Sequence, residues 1–85
     1  VRGFRVQVYS GGNTRIAHQQ ADKAGQKAKQ LFPEQPVYVH FYSPRWICRI
    51  GNYRSYDDAV RMLKDVKAMG FKQASLVRGK ITVQN

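Results

Sequence analysis

The sequence predicts an α+β domain of βαββαβ order, with one four-stranded antiparallel sheet and two helices on one face. Three observations predict it. Apolar residues alternate with a period of two in three segments, and less regularly in a fourth. They recur at three- and four-residue steps in two segments between those. Each half of the chain also repeats one plan: an alternating strand, a glycine-containing turn, then an amphipathic helix.

Phe4 to Tyr9 form the first predicted strand. Phe4, Val6 and Val8 share one face; Arg5, Gln7 and Tyr9 share the other. Ser10, Gly11, Gly12 and Asn13 then turn the chain. From Thr14 the period becomes helical, with Ala17, Ala21, Ala24, Ala28 and Leu31 on one face. Asn13 or Thr14 caps this helix. Gly25 weakens it, and Phe32-Pro33 ends it, because a residue before proline leaves the helical region. Val37 to Tyr42 form the second strand, with Val37, Val39 and Phe41 opposite Tyr38, His40 and Tyr42. Ser43-Pro44 makes a hairpin into the third strand, Arg45 to Ile50. There Trp46, Cys48 and Ile50 oppose Arg45, Ile47 and Arg49, and Gly51-Asn52 ends the run. Ser55 caps a second helix whose first turn holds Asp57 and Asp58, where the helix dipole favours negative charge. Its apolar face is Ala59, Met62, Leu63, Val66 and Met69, and Gly70 closes it. In the last strand Ala74 and Leu76 face inward and Ser75 and Val77 outward. Arg78-Gly79-Lys80 is expected to bulge or turn before Ile81 and Val83.

Right-handed crossovers then give a ferredoxin-like, RNP-like sandwich with the first and third strands central. The second sheet face is left open to solvent. With 85 residues there is room for one domain, spanning 1–85 with a core of about 3–78. Fifteen Lys and Arg against five Asp and Glu give a net charge of +10, which favours an anionic partner. One cysteine excludes a disulfide framework and a multi-cysteine zinc site. Starting at Val1, the chain is expected to be a piece of a larger protein.

The candidate binding residues are those the helices leave uncovered: Arg5, Gln7, Tyr9, Tyr38, His40, Tyr42, Arg45, Ile47 and Arg49. Any one of them suits a solvated strand. Together they combine rings, amides and guanidinium forks, which fit an extended, polar, anionic polymer. His18 is expected to be a solvated helix residue, Trp46 and Cys48 core. Neither the histidines nor Cys48 supply a paired base and nucleophile, so no enzyme is expected. The acidic residues are accounted for by capping and helix solvation.

At these residues the sequence resembles a SPOR domain, a bacterial module that binds septal peptidoglycan. The family's first strand commonly reads V-Q-x-G-S followed by an aromatic. Here the run is Val6-Gln7-Val8-Tyr9-Ser10-Gly11, with Tyr9 in place of Gly and Gly11 in place of the aromatic. The family's third strand and turn resemble Y-R-V-x, then Val or Ile, then G-P and Phe or Tyr. Here it is Trp46-Ile47-Cys48-Arg49-Ile50-Gly51-Asn52-Tyr53, with Ile47 for Arg, Cys48 for Val and Asn52 for Pro. Ser55, Asp58, Ala59, Leu63 and Gly70 continue the likeness, which covers about residues 3 to 78.

The resemblance implies glycan strands stripped of peptide stems as the ligand, bound on the sheet face, with Gln7 and Ser10 at family binding positions. Each bare muramic acid exposes a lactyl carboxylate. Arg5, Arg45 and Arg49 are assigned to these carboxylates, with Arg45 or Arg49 standing in for the family's missing Arg. Gln7 and Ser10 are assigned to hydroxyl or N-acetyl groups, and Tyr9, Tyr38 or Tyr42 to sugar faces. His40 is assigned a donor role. The expected partners are peptidoglycan and other divisome or wall-remodelling proteins, for a monomeric module without cofactor or metal in the periplasm or cell envelope. The rival reading is an RRM-like module for single-stranded RNA, against which the third strand lacks the RNP1 pattern. A third is pairing of the second strand's free edge with a partner strand.

Overall fold

Two side-chain caps set where the helices begin, and they act at the predicted positions. Thr14 Oγ1 accepts from the Ala17 N–H at 3.0 Å, and Ser55 Oγ accepts from the Asp58 N–H at 3.0 Å. The computed structural model describes residues 1–82. In chain order it contains β1 (Arg2–Ser10), α1 (Arg15–Leu31), β2 (Val37–Tyr42), β3 (Arg45–Tyr53), α2 (Tyr56–Ala68) and β4 (Ser75–Lys80). The strands form one antiparallel sheet in the order β2-β3-β1-β4, so β3 and β1 are central as expected. This is the ferredoxin-like α+β arrangement, with order βαββαβ.

The core lies between this sheet and the two helices. Val6, Cys48, Ile50 and Val66 are fully buried in it, joined by Val8, Ala28, Phe32, Met62 and Ala74. Small residues on α1 let the helix approach the sheet closely. Ala17, Ala21, Gly25 and Ala28 are its buried positions. A Cβ on Gly25 would come within 2.8 Å of Val39 Cγ2 and 3.7 Å of Cys48 Sγ. The glycine that costs helix propensity is therefore required for the α1–sheet contact.

Four element boundaries differ from the sequence reading. β1 starts at Arg2 and includes Ser10, because both its neighbours pair with it there: Arg2 opposes Lys80, and Ser10 opposes Ile47. β3 continues to Tyr53 through a bulge, since Val6 opposes Ile50 while Phe4 opposes Tyr53. Gly51 enters that bulge at φ +79°, which its missing Cβ permits. Arg78, Gly79 and Lys80 do not turn; they pair in register with Phe4, Gly3 and Arg2. Ile81 follows and is 7% exposed, whereas Val83 lies outside the described residues. Met69 leaves the predicted apolar face, being the C-cap residue of α2 and exposed.

The close approach at Gly25 yields a test. Gly25→Val overpacks the α1–β2 contact and is expected to destabilise the domain by about 2 kcal/mol in urea unfolding. A variant as stable as the parent would show that this contact has slack.

Candidate functional site

Cross-strand register decides which side chains share the uncovered face. Gln7 opposes Arg49, Tyr38 opposes Arg49, and His40 and Ser10 both oppose Ile47. Residues directly opposite each other in an antiparallel pair project to the same side. Arg5, Gln7, Ser10, Tyr38, His40, Tyr42, Arg45, Ile47 and Arg49 therefore emerge together, away from both helices. At the centre Arg49 Nε donates to Gln7 Oε1 at 3.0 Å. Arg5 and Arg49 also lie over rings of the edge strand. The Arg5 guanidinium is 4.1 Å from the Tyr38 ring centre, and that of Arg49 is 5.0 Å from Tyr42. His40 tilts against Tyr42 with centroids 5.1 Å apart.

Tyr9 does not join them. The register slips between Gln7 and Tyr9, so that Tyr9 opposes Cys48 on the helix side. This bulge turns Val8 and Tyr9 toward the same side, and the Tyr9 hydroxyl donates to Gln20 Oε1 of α1 at 2.8 Å. A Cβ at Gly11 would collide with the Tyr9 ring. The exchanged aromatic and glycine of this segment thus compensate each other in space. Ile47 takes the open-face side but is only 3% exposed, so it forms floor among its polar neighbours. His18 also differs from expectation: its ring stacks on Trp46 at 3.7 Å and 8°, and its Nε2 lies 3.4 Å from Asp22 Oδ2. Trp46 faces α1, with Phe41 tilted against it.

Asn52 was passed over as a turn residue, yet it organises one end of the face. The β3 bulge sets it beside Arg5, whose Nε donates to Asn52 Oδ1 at 3.1 Å. Asn52 Nδ2 donates to the Tyr38 hydroxyl at 2.7 Å, and the Thr82 N–H donates to Oδ1 at 3.2 Å. One side chain holds Arg5 and Tyr38 in place. The only signal in sequence is an amide where the resembling family carries proline.

Two hollows flank the central pair. One of about 330 Å³ is lined by Arg5, Tyr42, Arg49 and Val77. The other, about 420 Å³, lies at the end of β1 between Gln7, Tyr9, Ser10 and the Phe71–Gln73 loop after α2. Charge is segregated across the domain. All five acidic residues, Asp22, Glu34, Asp57, Asp58 and Asp65, lie on helices or the α1–β2 loop. Among the described residues the ion pairs are His18–Asp22 and Arg61–Asp58, so Arg5, Arg45 and Arg49 have no carboxylate partner. Burial lowers the Arg49 pKa from its ordinary value; Tyr42 opposes that shift and Arg5 adds to it. A guanidinium nevertheless stays charged at neutral pH. Burial, then Arg49 and Arg5, hold His40 below its ordinary 6.5, so it is neutral at pH 7. Burial pushes the Cys48 thiol up to about 11, which makes it a packed hydrophobe and a poor nucleophile.

The sequence matches the profile of the SPOR domain family over residues 1–78. No curated protein and no solved structure matches it significantly.

The electrostatics of the face are open to test. Arg49→Gln removes a cation beside His40 and is expected to raise the His40 pKa in an NMR titration. Because the folded value lies below the unfolded one, His40 stabilises the fold above about pH 6.5 relative to acid, and that contribution is lost as pH falls. An unmoved His40 titration would place Arg49 elsewhere.

Proposed function

The chain belongs to the SPOR domain family, and from that premise we propose that it binds denuded glycan strands of peptidoglycan through the open sheet face. Domains of this family bind septal peptidoglycan and are associated with the bacterial cell envelope. The module is a noncatalytic anchor that concentrates its parent in the periplasm where stem peptides have been removed.

One observation carries the reading: the Arg49–Gln7 pair at the centre of a face that holds three arginines and no carboxylate. A neutral amide partner orients the guanidinium without cancelling its charge. None of Arg49's partners is a carboxylate, which leaves its charge available to an anionic ligand. A bare glycan strand presents lactyl carboxylates at intervals along uncharged sugars. Arg5 and Arg49, which line one hollow, meet the carboxylates; Arg45 serves an adjacent unit. Gln7 and Ser10, lining the other, bond hydroxyl or acetamido groups. Tyr38 and Tyr42 pack on sugar faces, and neutral His40 donates one hydrogen bond. Tyr9 borders that hollow from the helix side, with its hydroxyl held by Gln20, and is not assigned to a sugar face.

The same geometry weakens the RNA reading. The outward rings, Tyr38, His40 and Tyr42, all belong to edge strand β2, and the central strands present no ring on which bases stack.

Retention on amidase-treated sacculi tests the proposal. The parent is expected to bind treated wall in preference to intact wall, and excess single-stranded RNA should not displace it. Gln7→Ala with Arg49→Ala should abolish retention while circular dichroism remains native. Unchanged retention of the folded double variant would reject the assignment.

A further inference from the structure

A second cluster of cations lies at the β1–β4 end of the sheet; its Arg78 and Gly79 also edge the open-face hollow beside Arg5 and Arg49, but Arg2 and Arg54 do not. Arg2, Arg54 and Arg78 come from β1, the β3–α2 junction and β4, far apart in sequence. They line one hollow of about 180 Å³, together with Phe4, Gly3 and Gly79. Register assigns the side. Phe4 opposes Arg78, Arg2 opposes Lys80, and the Phe4 ring meets Tyr56 at the start of α2 with centroids 5.8 Å apart. Phe4, Arg2 and Arg78 thus project to the helix side, whereas Arg5 and Gln7 project to the open face.

Gathering three guanidiniums at one hollow costs repulsion unless an anion joins them. No acidic residue lines it; of the two carboxylates in the first turn of α2, Asp57 and Asp58, Asp58 is engaged by Arg61. The Arg78 guanidinium sits 5.7 Å from the Phe4 ring centre, which restrains one fork.

We propose that Arg2, Arg54 and Arg78 form a second anion site that takes a phosphate group. Three guanidiniums bordering one hollow suit an oxyanion with several equivalent oxygens, such as a phosphate, better than a single planar carboxylate. With Arg2 and Arg54 outside the glycan hollow, the site would engage a phosphodiester while Gln7 and Arg49 hold glycan. The phosphate belongs either to a soluble polyanion or to a lipid headgroup.

The test uses the 85-residue chain, poly(glycerol phosphate) and vesicles of phosphatidylglycerol diluted in phosphatidylcholine. Inorganic phosphate is titrated into labelled protein first, at moderate salt. Amide shifts are expected at Gly3, Phe4 and Arg54, saturating, with Gln7 and Arg49 silent. Arg54→Gln with Arg78→Gln should weaken binding about tenfold or more. Arg54→Gln alone, at an exposed position, should show part of that loss without touching the Phe4 contact. Capture by the polymer, lost in the double variant, supports the site and assigns the polymer. Capture by vesicles, lost likewise, supports it and assigns the headgroup. Capture by neither, capture that the double variant retains, or shifts spread evenly over all basic residues would overturn it.

Discussion

Both central strands are pinned on one side by the core, and the rest of the molecule follows from that. Val6 on β1 and Cys48 and Ile50 on β3 are fully buried under the helices. Each fully buried aliphatic side chain is worth about 1.5–3 kcal/mol, far more than any surface polar contact on the sheet. A strand held so firmly at alternate positions must send the intervening ones the other way. Arg5, Gln7 and Arg49 stand on the open face because the apolar residues beside them cannot leave the core. The small residues of α1 are part of the same constraint, since they bring the helix close enough to seal Cys48.

The consequence is electrostatic. The domain's carboxylates sit on helices and one loop, while the open face meets the solvent with arginines whose contacts are an amide, another amide and two aromatic rings. None of these contacts neutralises charge. They fix direction instead: Gln7 aims Arg49, and Asn52 aims Arg5 while holding the Tyr38 hydroxyl. A face organised in this way loses little side-chain entropy when an anion arrives, and it competes poorly for its own carboxylates because none are within its strands.

What could be read without coordinates was local. The alternation in β1, β2 and β3, the caps at Thr14 and Ser55, and the proline stop after Phe32 depend on residues a few positions apart. They placed Gln7 and Arg49 on one face before their contact was seen. What escaped was long-range. The bulge that turns Tyr9 inward arises from pairing with β3 and breaks the alternation that predicted the reverse. Asn52 serves Arg5 from 47 positions away. The His18–Trp46 stack needs the turn of α1 over β3, which no periodicity encodes. Arg78-Gly79-Lys80, expected to bulge or turn, instead pairs in register with β1, Gly79 opposite Gly3.

The central claim is that a charged saccharide lies along β1 and β3 on the side away from the helices. Its most direct measurement is amide and arginine side-chain NMR of the labelled domain titrated with a peptide-free muramic-acid oligosaccharide. Perturbations should centre on Gln7, Ser10 and the Arg49 Nε–H, extend to Arg5 and Tyr42, and leave Ala21, Gln26 and Lys64 still. Shifts that cluster instead around Trp46 and His18, or along the outer faces of α1 and α2, would contradict it.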